Sequence, residues 1–244
     1  LSADGRFVAF VSRASNLVPG DTNGVADIFV HDRLTGETTR VSVASDGTQA
    51  DQRSLLPTLS ADGRFVAFAS HATNLIPDDT NGAADAFVHD RHTGETTRIS
   101  IASDGSQGNA ESYPNGLSAD GHLVVLLSYA SNLVPADTNN FCWDGYPPEE
   151  FTDNCADIFL HDQLTGETRR VSIASNGTQA NNRSLSAAIS ADGRYVVFSS
   201  EATNLVPAST SPAIRVFLHD NQTNETALIA SSPLAPDEGL VFYK

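Results

Sequence analysis

The phrase Leu-Ser-Ala-Asp-Gly begins at Leu1, Leu59 and Leu117 and returns as Ile-Ser-Ala-Asp-Gly at Ile189, at intervals of 58, 58 and 72 residues. Self-similarity at a fixed period means that each unit folds alike and buries its apolar face against its neighbours, so the period constrains the architecture more than any single motif does. The longer third interval comes from an insertion at 141–155, and a degraded fifth copy begins at Leu234. The units are therefore 1–58, 59–116, 117–188 with its insertion, 189–233, and the partial 234–244, all within one domain.

Each unit repeats the same strand signals. Arg6 to Ser12 and Ala26 to Asp32 are short runs rich in Phe, Val and Ile. Asp32-Arg33-Leu34-Thr35-Gly36-Glu37 reads as a turn, and Thr38 to Ala44 as the returning antiparallel strand. A fourth strand, Ser54 to Leu59, crosses the unit boundary and ends at the Ser60-Ala61-Asp62-Gly63 turn. Helical periodicity is absent. The expected fold class is all-β: a β-propeller of four-stranded antiparallel blades, with four full repeats and part of a fifth. On this pattern the innermost strand of the first blade precedes Leu1.

Ser-Ala-Asp-Gly-Arg-Phe-Val-Ala-Phe, followed by Asp-Ile-Phe-Val-His-Asp and Thr-Gly-Glu-Thr-Thr-Arg, resembles the TolB-like propeller repeat, in which Pro usually stands in place of this Ala. The resemblance covers essentially the whole chain. It implies a propeller of an exported bacterial protein, and it implies little about activity, because such repeats serve assembly proteins, peptidase propellers and surface proteins alike.

Thirty acidic against 14 basic residues, a net charge of −16, repel phosphate backbones and anionic lipid, which excludes nucleic acid as a partner and favours cations. No apolar run is long enough for a membrane helix. Cys142 and Cys155 both lie in the insertion, as a disulfide closing that loop requires; a reduced pair or half of a metal site are the alternatives. The disulfide reading places the protein outside the cytoplasm, whether periplasmic, at the cell surface or secreted.

Three loops carry a possible metal pattern. Asp21, Asn23 and Asp27 recur as Asp79, Asn81 and Asp85, and as Asp137, Asn139 and Asp157 with the insertion between the last two. Oxygens at the first, third and seventh positions suit a weak structural calcium site; the alternative is an Asx-turn in which these side chains bond their own backbone. The fourth copy has Ala208-Ser209-Thr210-Ser211-Pro212 and no carboxylate there.

The pairs His31-Asp32, His89-Asp90, His161-Asp162 and His219-Asp220 occupy identical places in four units, so they read as blade architecture and not as a catalytic dyad. The single-copy residues His71, His92 and His122 accompany no nucleophile elbow, zinc helix or dinucleotide glycine pattern. Trp143, Tyr146 and Phe151 concentrate aromatic surface in the insertion, for recognition of a protein or a sugar face or for covering the neighbouring blade. Short glycosylation-type matches at Asn176, Asn182, Asn221 and Asn224 are of the kind that arises by chance in Asn- and Thr-rich loops.

These features lead to a non-catalytic extracytoplasmic propeller that acts as an interaction or structural module, with calcium-stiffened loops and a protein or carbohydrate partner. The alternatives are the propeller part of a secreted hydrolase of glycans or peptides, which requires single-copy residues such as Glu111, His122 and Asp144 to converge on one pocket, and a subunit of a surface layer or filament.

Overall fold

The computed structural model describes residues 1–139, 155–207 and 213–231, and these hold four antiparallel meanders and no helix. The first sheet is β1 (Phe7–Ser12), β2 (Asp27–Asp32) and β3 (Thr38–Arg40). The second is β4 (Ser54–Leu59), β5 (Phe65–Ser70), β6 (Asp85–Asp90) and β7 (Thr96–Arg98). The third is β8 (Ser112–Leu117), β9 (Leu123–Ser128), β10 (Asp157–Asp162) and β11 (Thr168–Arg170). The fourth is β12 (Ser184–Ile189), β13 (Tyr195–Ser200), β14 (Arg215–Asp220) and β15 (Glu225–Ser231). As the boundary-crossing fourth strand implies, each four-stranded sheet begins with the last strand of the preceding sequence unit. The fifth copy, 234–244, lies outside the described residues.

Strands β2, β6 and β10 are buried almost along their whole length, and the second and third sheets, which hold β6 and β10, are covered by neighbouring sheets on both faces. One core joins Ile28 and Val30 of the first sheet to Val66, Phe68 and Phe87 of the second; two more repeat it at the following junctions. Phe68 and Phe87, stacked at 5.9 Å and fully buried, each contribute roughly 2–3 kcal/mol of apolar burial.

The third strand of a unit was expected to run to Ala44, but β3 stops at Arg40. Val41 turns inward, its amide donating to the Ile28 carbonyl, and Ser42 accepts the Ile28 amide on its hydroxyl. The apolar core and these two bonds hold the chain more strongly than continued strand pairing.

The sheets are laced together by their backbones. Ala3 donates its amide to the Ala61 carbonyl at 2.8 Å, Ala61 to Ala119 at 2.9 Å, and Ala119 to Ala191 at 2.8 Å. At Gly63 a Cβ would stand 2.4 Å from the Phe7 ring, and at Gly121 2.3 Å from the Phe65 ring, so these turns need glycine for close approach as well as for positive φ.

Antiparallel topology sends the Ser-Ala-Asp-Gly and Asp-Arg-Leu-Thr-Gly-Glu turns to one end of the sheets and the long loops to the other. Strands β4, β8 and β12 pack against one another and so lie on the axis side.

Candidate functional site

Two arrangements occupy the long-loop end. The first is the loop that the sequence marks for calcium. Asp27 is fully buried, and its carboxylate accepts from the Ser42 hydroxyl at 2.5 Å and from the Asn23 amide at 2.8 Å. The Arg40 guanidinium lies between Asp21 at 3.2 Å and Asp27 at 3.8 Å. Arg98 stands in the same way 3.6 Å from Asp79 and 3.5 Å from Asp85, and Arg170 3.1 Å from Asp137 and 3.4 Å from Asp157. Gln107 adds amide donors to Asp79 and Asp85, and Gln179 to Asp137 and Asp157.

All three predicted residue sets are therefore brought together, the third across the insertion, but around a cation that the chain supplies itself. The fit to a hard ion is poor. Asn23 and Asn81 give their oxygens to the backbone amides of Val25 and Ala83, the Asx-turn geometry, and turn nitrogen towards the carboxylates. Among the described residues no group of three or more acidic, His or Cys side chains is placed to hold a metal. Burial pushes Asp157 up to about 6 in spite of Arg170, and raises Asp85 for the same reason.

Sequence reasoning missed Arg40, Ser42 and Gln49 and their counterparts, although a signal was present. In the fourth unit Arg215, Leu228 and Ala230 stand where Asp27, Arg40 and Ser42 stand in the first, so carboxylate, guanidinium and hydroxyl are lost together. Residues that vanish as a set act as a set.

The second arrangement breaks the repeat. At the axis-side ends of the inner strands, Arg53 contacts His71 through Nη2 and Nε2 at 3.0 Å, and Tyr113 donates its hydroxyl to Glu111 at 2.5 Å. In the next sheet Arg183 and Glu201 form an ion pair at 2.8 Å in the places of Arg53 and His71. Burial and then the Arg53 charge lower the His71 pKa, while the Glu111 charge opposes them. Burial and the Glu111 hydrogen bond raise that of Tyr113, with Tyr129 and Arg53 close enough to act on it.

Beside this cluster runs a groove of about 510 Å³ on the axis side, where Leu56, Pro57, Pro114 and Leu185 alternate with the polar Thr58, Asn115 and Ser186. Its wall contains a strained residue. Leu56 holds φ 56° where the β4–β5 register shifts, and it is 39% exposed. Bulges with left-handed non-glycine residues are costly and gather next to sites of function.

The other expected residues divide. Glu111 joins the cluster, but His122 lies at the opposite end of the sheets against Phe65, and Asp144 is outside the described residues, so the three do not meet. Each His of the His-Asp pairs bonds a Thr of the next strand through Nδ1, as His89 does with Thr96 at 2.8 Å, while Asp32, Asp90 and Asp220 pair with Arg6, Arg64 and Arg194. Cys155 is buried; Cys142, Trp143, Tyr146 and Phe151 lie outside the described residues.

No protein-family profile matches the chain, and no curated protein matches it. Solved structures do. TolB from Acinetobacter baumannii superposes with a TM-score of 0.53 at 16% identity, over 96% of this chain and 43% of that one. The putative TolB from Agrobacterium tumefaciens gives 0.53 at 14%, over 95% and 63%. The β-propeller domain of the Trilobed protease from Pyrococcus furiosus gives 0.51 at 14%, over 94% and 56%. The chain thus spans between two fifths and two thirds of the length of these structures. At such identities the likeness is one of fold: four blades of a TolB-like β-propeller.

Proposed function

We propose that these blades form a non-catalytic, extracytoplasmic interaction module whose contact surface is the long-loop end. The observation that carries this reading is the gathering of repeat-breaking residues there. His71, Glu111, Tyr113 and Tyr129, together with Arg53, which Arg183 repeats, form a polar and aromatic rim beside the groove, whereas the other repeat-keeping polar residues serve the frame. Tyr and Arg beside a groove are the residue types that dominate binding surfaces.

The occupant is a protein segment or a carbohydrate, held against Leu56, Pro57, Pro114 and Leu185 with its polar groups on the rim. Arginine, and not calcium, stiffens the adjoining loops. The reading includes a Cys142–Cys155 disulfide across the insertion, with Trp143, Tyr146 and Phe151 as further contact residues, and such an oxidised pair is what an extracytoplasmic location favours. The identity of the partner is open to direct selection.

Probing arrays of extended peptides and of oligosaccharides with the wild-type chain and with a Tyr113→Ala, Tyr129→Ala variant tests the reading. Retention of a subset by wild type, lost in the variant and released intact, is the expected result. Equal retention by both places the contact surface elsewhere, and recovery of cleaved ligand makes the propeller part of a hydrolase.

A further inference from the structure

At the short-turn end, neighbouring blades meet around one ring. Between the first and second sheets, the Arg91 guanidinium lies 4.4 Å from the centre of the Phe7 ring and donates to the Gly63 carbonyl at 2.7 Å. The charges that act on it are those of Asp32, Arg6 and Glu37. Arg6 is itself held by Asp32 in a two-pronged pair, which leaves Arg91 as the second guanidinium on the Phe7 ring.

The junction of the second and third sheets repeats every part but one. Phe65 takes the place of Phe7, Arg64 again pairs two-pronged with Asp90, and Glu95 stands where Glu37 stands. The place of Arg91 is taken by Gln163, which keeps the bond to its glycine carbonyl, Gly121, and carries no charge. A cavity of about 410 Å³ opens there, bounded by Phe65, Asp90, Glu95, His122, Gln163 and Leu164. At the third junction Leu123 replaces the ring, and Asn221 takes the place of Arg91, donating its side-chain amide to the Gly193 carbonyl at 2.8 Å.

Of these three junctions only the first carries a guanidinium in this place, and the middle one has Gln163 there beside an aromatic ring, a carboxylate and a void. Its other cations are already engaged: Arg64 pairs with Asp90 and lies over the Phe65 ring at 4.6 Å, as Arg6 lies over Phe7 at 4.7 Å beside Arg91, and Arg98, which also borders the cavity, faces Asp79 and Asp85. His122 touches the ring edgewise, 5.9 Å from its centre and tilted by 54°.

We propose that the Phe65–Glu95 cleft binds a guanidinium group from outside the chain, in the place that Arg91 fills on Phe7. A guanidinium suits it better than an ammonium ion, since a planar cation stacks on the ring while its edge reaches the Gln163 side chain and Glu95. The group comes either from a free guanidino compound or from an arginine side chain of a partner protein.

The test is an NMR titration of the whole chain with arginine amide and with a blocked Ala-Arg-Ala peptide at constant ionic strength, following the Phe65 and His122 rings and the Gly121 amide. Saturable shifts confined to this cleft, with Kd on the order of millimolar for one cation–π contact and one exposed carboxylate, are expected. Tighter binding of the peptide identifies a partner side chain as the source, and equal binding identifies the free compound. Gln163→Arg should weaken binding at least tenfold. Arg91→Gln, which leaves Phe65 untouched, should create a second set of shifts at Phe7 and Gly63. Absence of saturable shifts in wild type, or shifts that survive in Gln163→Arg, overturns the proposal.

Discussion

The amide of Ala61 donates to the carbonyl of Ala119 at 2.9 Å, so the turn of one blade is bonded, backbone to backbone, to the turn of the next. Ala3 and Ala119 make the same bond to Ala61 and Ala191. A proline, usual at this place in TolB-like repeats, has no proton to donate. Ala61→Pro should therefore lower stability by about 1 kcal/mol, read as a shift of the denaturation midpoint, and should speed hydrogen exchange in the turns on either side. An unchanged midpoint would show that the ladder contributes nothing.

The arginine at the centre of each Asx loop is the cation of that loop. Arg98→Leu leaves Asp79 and Asp85 facing each other with little solvent, and should cost about 3–5 kcal/mol, as removal of one partner from a buried pair does. Adding Asp79→Asn and Asp85→Asn should recover a good part of the loss, because the uncompensated charge then goes. Calorimetric titration of calcium into the wild-type chain should give no saturable heat from these loops; binding abolished by Asp21→Ala and Asp79→Ala would restore the ion to the account.

Ala136 holds φ 58°, at the place where the first unit has Gly20 with φ 75°. An alanine in this region is strained where glycine is at ease. Ala136→Gly should stabilise by up to ~1 kcal/mol, the strain relief exceeding the entropy gained by the unfolded chain. A lower melting temperature in this variant would mean that the strain is not real.

Burial pushes His89 and His219 down to about 4, well below the usual imidazole value. A His with a depressed folded pKa is protonated first in the unfolded chain, so its contribution to stability is whole above about pH 6.5 and is lost as pH falls towards 4. Each is buried against water and should account for on the order of 2–3 kcal/mol over that window. Asp157, raised to about 6, acts in the opposite sense, its protonated form favouring the folded chain as pH falls through 6. The net slope is tested by denaturant midpoints at pH 7 and pH 4.5. His219→Gln should flatten it, and a variant with the wild-type slope would remove His219 as a source.

The repeat made the blades legible from sequence, because period, strand pattern and turn residues recur four times and local chemistry alone writes them. It showed which loops gather carboxylates, since Asp21, Asn23 and Asp27 are near in the chain. It did not show what faces them: Arg40 is bonded to Asp21 and Asp27 across the sheet, and a partner that distance along the chain separates has no spacing to read. The same holds for the rim. Arg53 and His71 come together because β4 and β5 are paired, and Glu111 joins them from the next blade. Burial, and therefore the shifted pKa values of His71, Tyr113 and Asp157, exists only once neighbouring sheets close over these groups. The sequence by itself determined the unit that repeats, through turns and alternation whose causes are local; only the packing of unit against unit decided which charges meet, which cavity stays open and which end carries the site, because those follow from contacts between residues that the chain holds far apart.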